Sequence, residues 1–156
     1  MTEHLVTLKQ LTLADWQELQ SLAIEVFTET FAPVNTPENL NTYLHRAFTT
    51  EKIQEELLDT ASAFYFAIVD QKAVGYLKVN FSAAQTELQD NDSLEIERIY
   101  VLNAFQKMRI GHLLFEQAVA IAQKAELHRI WLGVWEKNEK ADRKSTRLNS
   151  SHSSIS

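Results

Sequence analysis

The chain of 156 residues contains no cysteine. That absence removes disulfide frameworks, thiolate zinc sites and cysteine nucleophiles together. Basic charge is outweighed: 15 Lys and Arg stand against 21 Asp and Glu, a net charge of −6. A nucleic-acid partner is excluded on that ground, because phosphate backbones need a basic face, whereas a cationic substrate suits an acidic protein. No run approaches the roughly 20 apolar residues of a membrane span, and no basic-then-apolar leader opens the chain, so the expected location is the cytoplasm. The five histidines, His4, His45, His112, His128 and His152, show no metal-ligand spacing, and no metal is expected.

What is present is an apolar fraction of 45% in a chain of single-domain length. Leu5 to Leu11 reads as a first strand. Thr12 with Asp15 resembles a capping box, and Leu13, Trp16, Leu19, Ala23, Val26 and Phe27 form an amphipathic stripe behind it, ending near Phe31. Thr36-Pro37-Glu38 starts a second helix, with Leu40, Tyr43, Leu44 and Ala47 expected to be buried. Ile53, Leu57 and Leu58 carry a short third helix from Glu51. Phe64–Val69 and Ala73–Phe81 predict an antiparallel hairpin about the Asp70-Gln71-Lys72 turn. Ser82 to Ser93 reads as a polar loop.

The stretch from Leu94 to Gln123 organises the rest. Leu94, Ile96, Ile99, Tyr100 and Val101 give a strand; from Ile110 the apolar spacing turns helical through Leu113, Leu114, Ala118, Ile121, Ala122 and Ala125. A strand feeding a helix through a loop presents unpaired N–H groups and a positive dipole end, which favours an anion. A phosphate is the obvious guest, although of the glycines that usually line such loops only Gly111 is here. Arg129 to Val134 is a further strand.

The run Val101-x-Asn103-x-x-Gln106-x-x-Arg109-x-Gly111 resembles the V-x-P-x-x-[QR]-x-x-G-x-[GA] signature of the GNAT acetyltransferases. Asn103 stands where proline is usual and Arg109 where the first glycine is usual, so the arginine must swing clear of a pyrophosphate or pair with it. Leu132 to Ala141 is similar to the family's L-x-V-x-x-x-N-x-x-A run. The resemblance covers about Leu5 to Ala141 and implies an α/β GNAT fold, a mixed, mostly antiparallel sheet flanked by helices, over residues 1–141.

It also implies acetyl-CoA as cosubstrate and a small-molecule amine as acceptor. Ile99, Tyr100 and Val101 would meet the pantetheine arm, Gln106, Lys107, Met108, Arg109, Ile110, Gly111 and His112 the pyrophosphate, and Asn138 would sit beside the cofactor. Glu95 matches a position where some members carry a glutamate base. Glu97 lies two residues on, so both carboxylates face one way, while Tyr100 is expected on the opposite face. The Asn35 to Glu38 start, Tyr43 and Leu44, and the Glu-Arg-Ile-Tyr-Val strand look similar to bacterial spermine/spermidine acetyltransferases, with Glu29, Glu38 and Glu95 as recognition carboxylates.

Residues 142–156 depart from the family, which continues with a helix and two strands. Serine dominates and no apolar periodicity survives, so this tail is expected to form no packed element and to be foreign to the domain. The tyrosine that family members use to protonate the leaving thiolate falls in that missing helix, and no tyrosine follows Tyr100. The resemblance therefore implies a C-terminally truncated enzyme of low turnover. Loss of the last strands would leave Arg129 to Val134 as a bare edge that invites homodimerisation. A CoA-binding regulatory module and an inactive fragment are the competing readings.

Overall fold

The computed structural model describes residues 5–81 and 92–132, and the backbone alone of 144–147. A six-stranded sheet runs in chain order, with β1 (Val6–Gln10), β2 (Ser62–Val69), β3 (Lys72–Phe81) and β4 (Ser93–Val101) antiparallel in sequence. β5 (Arg129–Leu132) lies parallel to β4, and β6 (Lys144–Arg147) closes antiparallel to β5. The expected helices are present as α1 (Trp16–Phe31), α2 (Pro37–Ala47), α3 (Thr50–Leu58) and α4 (Ile110–Lys124).

Local chemistry explains the boundaries. The Asp15 carboxylate accepts the Thr12 N–H at 2.9 Å across the 3-10 turn that leads into α1, and the Thr36 and Thr49 hydroxyls accept the Asn39 and Lys52 N–H groups at 3.1 Å, fixing the starts of α2 and α3. α4, like α1, starts without a side-chain cap hydrogen bond, and it differs from the other helices in beginning at a residue, Arg109, in the left-handed region at φ 62°.

Alternation sorts the sheet's two faces. Tyr76, Lys78 and Asn80 point one way, toward α3, whose Glu56 reaches Lys78 and Arg98. Leu77 and Val79 point the other way with Ile96, and α4 covers that face through buried Ile110, Leu114, Ala118 and Ala122. α1 contributes Leu19, Leu22, Ala23, Val26 and Phe27 to the core. The α2 stripe is not buried as expected: Leu40, Leu44 and Ala47 are half-buried, and Tyr43 is exposed while stacking on Phe27 at 4.5 Å.

Two further expectations are corrected. Residues 144–147 form a strand, because backbone pairing to an open edge needs no apolar side chain, and a polar sequence is what an edge strand carries. β6 covers β5, so the bare edge offered as a reason for homodimerisation is absent from Arg129–Leu132. Secondly, a β-bulge places Glu97 as an extra residue: Lys78 faces Arg98 while Val79 faces Ile96. The bulge reverses the alternation beyond it, so Tyr100 pairs with Tyr76 and lies on the same face as Glu95, not the opposite one. Residues 82–91 of the expected Ser82 to Ser93 loop, Gly133, Val134, Asn138 and residues 148–156 lie outside the described residues.

Candidate active site

The sequence places three polar residues in an otherwise apolar β3, and two of them, Lys78 and Asn80, are buried. Buried polar groups need partners. Asn80 Nδ2 donates to Glu95 Oε1 and to Glu97 Oε1, each at 2.8 Å, and its Oδ1 accepts the Ser62 hydroxyl at 2.8 Å. Only the amide's NH2 end can serve two carboxylates, so its orientation is fixed by chemistry. Lys78 Nζ approaches Glu97 at 2.7 Å, and Arg98 forms a two-pronged pair with Glu56 at 3.0 and 3.1 Å and reaches Glu97 at 3.3 Å.

The two expected carboxylates therefore do meet, but in unequal company. Burial raises the Glu97 pKa, and the Lys78 and Arg98 charges with the Asn80 hydrogen bond outweigh it and hold the carboxyl below its ordinary range. A carboxylate so held is a weak base. Glu95 sits two residues before, only 1% exposed, beside Trp131 of β5. Burial opposes the Arg98 charge, and Tyr76, Glu56 and Glu97 outweigh that opposition and raise its pKa. Burial pushes the Tyr76 hydroxyl up, which keeps it neutral.

Past Val101 the chain makes a 3-10 turn, Asn103–Met108, before Arg109. Glu29 at the end of α1 accepts the Asn103 N–H at 2.7 Å, so this expected recognition carboxylate is tied to the loop backbone. Gln106 folds back, its amide donating to the Val101 carbonyl and Asn103 Oδ1 at 3.2 Å. Met108 is half-buried and the Ile110 side chain is wholly buried, leaving Ile110 only its backbone for a ligand. Lys107 and Arg109 are exposed, and His112 pairs with Glu116 at 3.1 Å. A Cβ on Gly111 would meet nothing within 4 Å, so open space adjoins the first turn of α4.

Ile99, Tyr100 and Val101 are half-buried along β4, which pairs with β5 only from Ser93 to Ile96 among the described residues. A groove of about 460 Å³ lies between α1 and α2, lined by Thr28, Pro37, Glu38, Leu40, Asn41 and Leu44. Lys78, Asn80, Ser62, Arg98 and Glu56 were not among the residues expected at the site. The period-two spacing of Tyr76, Lys78 and Asn80 opposite Leu77 and Val79 is the signal that points to the first two. Among the described residues no helix is long and apolar enough to cross a membrane, and no group of three potential metal ligands occurs.

The antiparallel sheet continues into a parallel β4–α4–β5 unit, with a helix start lacking a side-chain cap just past β4. Residues 16–144 match the family described as Acetyltransferase (GNAT) family, and the chain belongs to that family. It is 38% identical over 136 residues to an uncharacterised N-acetyltransferase from the pepI 3′ region of Lactobacillus delbrueckii subsp. lactis, covering 87% of this chain and 79% of the relative. The fold superposes on the PaiA N-acetyltransferase of Thermoplasma acidophilum in complex with coenzyme A, with a TM-score of 0.74, 20% identity, and coverage of 87% and 83%. It also superposes on an aminoglycoside acetyltransferase from an uncultured soil metagenomic sample in complex with sisomicin, with a TM-score of 0.63, 16% identity, and coverage of 86% and 81%. The protein is thus an acetyl-CoA-dependent N-acetyltransferase with an α/β GNAT fold.

Proposed function

We propose that the chain transfers acetyl from acetyl-CoA to a primary amine on a small cationic molecule, a polyamine being the leading candidate. One observation carries the donor half: a fifteen-residue helix starts at a left-handed residue with no side-chain cap, beside open space at Gly111. Its first-turn N–H groups and dipole favour the diphosphate of the donor. The N–H groups of Ile110, Gly111 and His112 take the phosphate oxygens in this reading, and Lys107 and Arg109 supply positive charge. Ile99, Tyr100 and Val101 line the pantetheine arm; the Gln106 and Met108 side chains shape the loop instead of touching the ligand. Asn138 remains assigned beside the donor by resemblance alone.

Chemistry at the acceptor needs a neutral amine. The acceptor ammonium gives one proton to Glu95, directly or through one water. The amine lone pair forms the C–N bond at the thioester carbonyl, the C–S bond breaks, and a second N–H proton leaves with the thiol. Glu97, neutralised by Lys78 and Arg98, serves as an anchor. The acidic balance of the chain supports a cationic acceptor. The domain spans residues 1–141 in this reading, extended by β6, and works in the cytoplasm.

Thiol release from acetyl-CoA, followed with spermidine, an aminoglycoside and an alanine-terminated peptide in parallel, tests the assignment. N-acetylspermidine identified by mass is the expected product. Preference for the peptide or the aminoglycoside by more than about tenfold in kcat/KM, roughly 1.4 kcal/mol, would reassign the acceptor.

A further inference from the structure

We propose that Asn80 is a positioning residue that decides which of the two carboxylates receives the amine proton, an inference that rests on the proposed proton transfer to Glu95. The side chain is wholly buried, and three hydrogen bonds of 2.8 Å leave it no freedom to turn. One carboxylate it holds, Glu97, is neutralised by Lys78 from β3 and Arg98 from β4, and Glu56 of α3 completes that ion network. The other, Glu95, is held by the second N–H of the same amide. Asn80 thus bridges an internally neutralised carboxylate and the buried one that receives the proton in the proposed transfer.

The bridge acts in two ways. An amide donor fixes one oxygen of Glu95 and one of Glu97, which restricts rotation of both carboxylates. A neutral donor also keeps the two anions apart without adding charge. Ser62 is part of the device: its hydroxyl is donated to Asn80 Oδ1, and this keeps the NH2 end toward the carboxylates. A purely structural asparagine would need only satisfied hydrogen bonds, and many arrangements provide them. Two carboxylates on one NH2 group is an arrangement that controls charge.

The test uses the full chain with acetyl-CoA and whichever of the three amines it turns over best. Asn80→Asp keeps the shape but exchanges the donor for a third carboxylate. Expected are a fall in kcat of about 10- to 100-fold, an unchanged KM for acetyl-CoA, and an acid limb of the kcat/KM profile displaced to higher pH, because added negative charge favours protonation of its neighbours. Ser62→Ala is the second variant, for the case that Asn80→Asp does not fold; a smaller loss with the same direction of displacement is expected. Turnover and pH profile unchanged in a folded variant, or a loss that only follows the folded fraction, overturns the role of Asn80 while the transferase reading stands. No acetyl transfer by the unsubstituted chain to any amine overturns both.

Discussion

Four charged side chains, Glu97, Lys78, Arg98 and Glu56, meet where β3, β4 and α3 cross and answer one another inside the protein. One loop further on, Lys107 and Arg109 point to solvent, and the first turn of α4 has no side-chain cap. The first region is closed: its charges are held in one geometry before any ligand arrives. The second is open, with backbone donors and cations whose partners must come from outside. Closed polar networks orient and titrate, while open ones bind. The proposed function puts proton handling on β4 and donor binding at the α4 start.

The sharpest way to break this contrast is at Glu95. Glu95→Gln should reduce kcat/KM by about 10²- to 10⁴-fold while acetyl-CoA still binds, as measured by steady-state kinetics beside calorimetry. Equal turnover would move the base elsewhere. Next in size, Arg98→Ala opens the closed region and leaves Glu56 without its two-pronged partner. Urea unfolding should show a loss of about 1–3 kcal/mol, since the pair is part-buried and Glu56 keeps only Lys78 at 3.8 Å as a cationic neighbour among the described residues.

The open region should respond in the reverse sense. Arg109→Gly relieves a left-handed non-glycine residue, for a gain of up to about 1 kcal/mol in stability, yet removes a cation from the donor side. A higher KM for acetyl-CoA with an equal or higher melting temperature is the expected pair of results. Smallest in effect is the pH dependence of stability. The native pKa of Glu97 lies below the ordinary 4.5, so its stabilising contribution is complete above that value and is lost as pH falls through the lowered one. Unfolding midpoints compared below pH 4.5 should fall less steeply in Glu97→Gln than in the unsubstituted chain.

Much of this was legible in the sequence because the signals were local. Thr36-Pro37 marks the start of α2, the Asp70-Gln71-Lys72 turn marks the hairpin, and the change of period at Ile110 marks α4. The bulge at Glu97 was not legible. It arises from the register of β4 against β3, a long-range property, and it alone puts Tyr100 on the Glu95 face. β6 was missed for a related reason: its pairing is backbone to backbone, and a periodicity search sees only side chains. Asn80 lay in view as a polar residue at an inward strand position, but its importance depends on meeting Glu95 and Glu97 from a different strand.

The open helix start is tested most directly by titrating coenzyme A and pantetheine, which lacks the diphosphate, into the unsubstituted chain and Gly111→Asp by calorimetry. A Cβ at Gly111 meets open space, so the variant should fold at least as well as the parent, while its carboxylate occupies the place of a phosphate. Coenzyme A should bind the parent more tightly than pantetheine does, and this advantage should shrink at least about tenfold in the variant, roughly 1.4 kcal/mol. An advantage of equal size in both proteins would show that the diphosphate is held elsewhere.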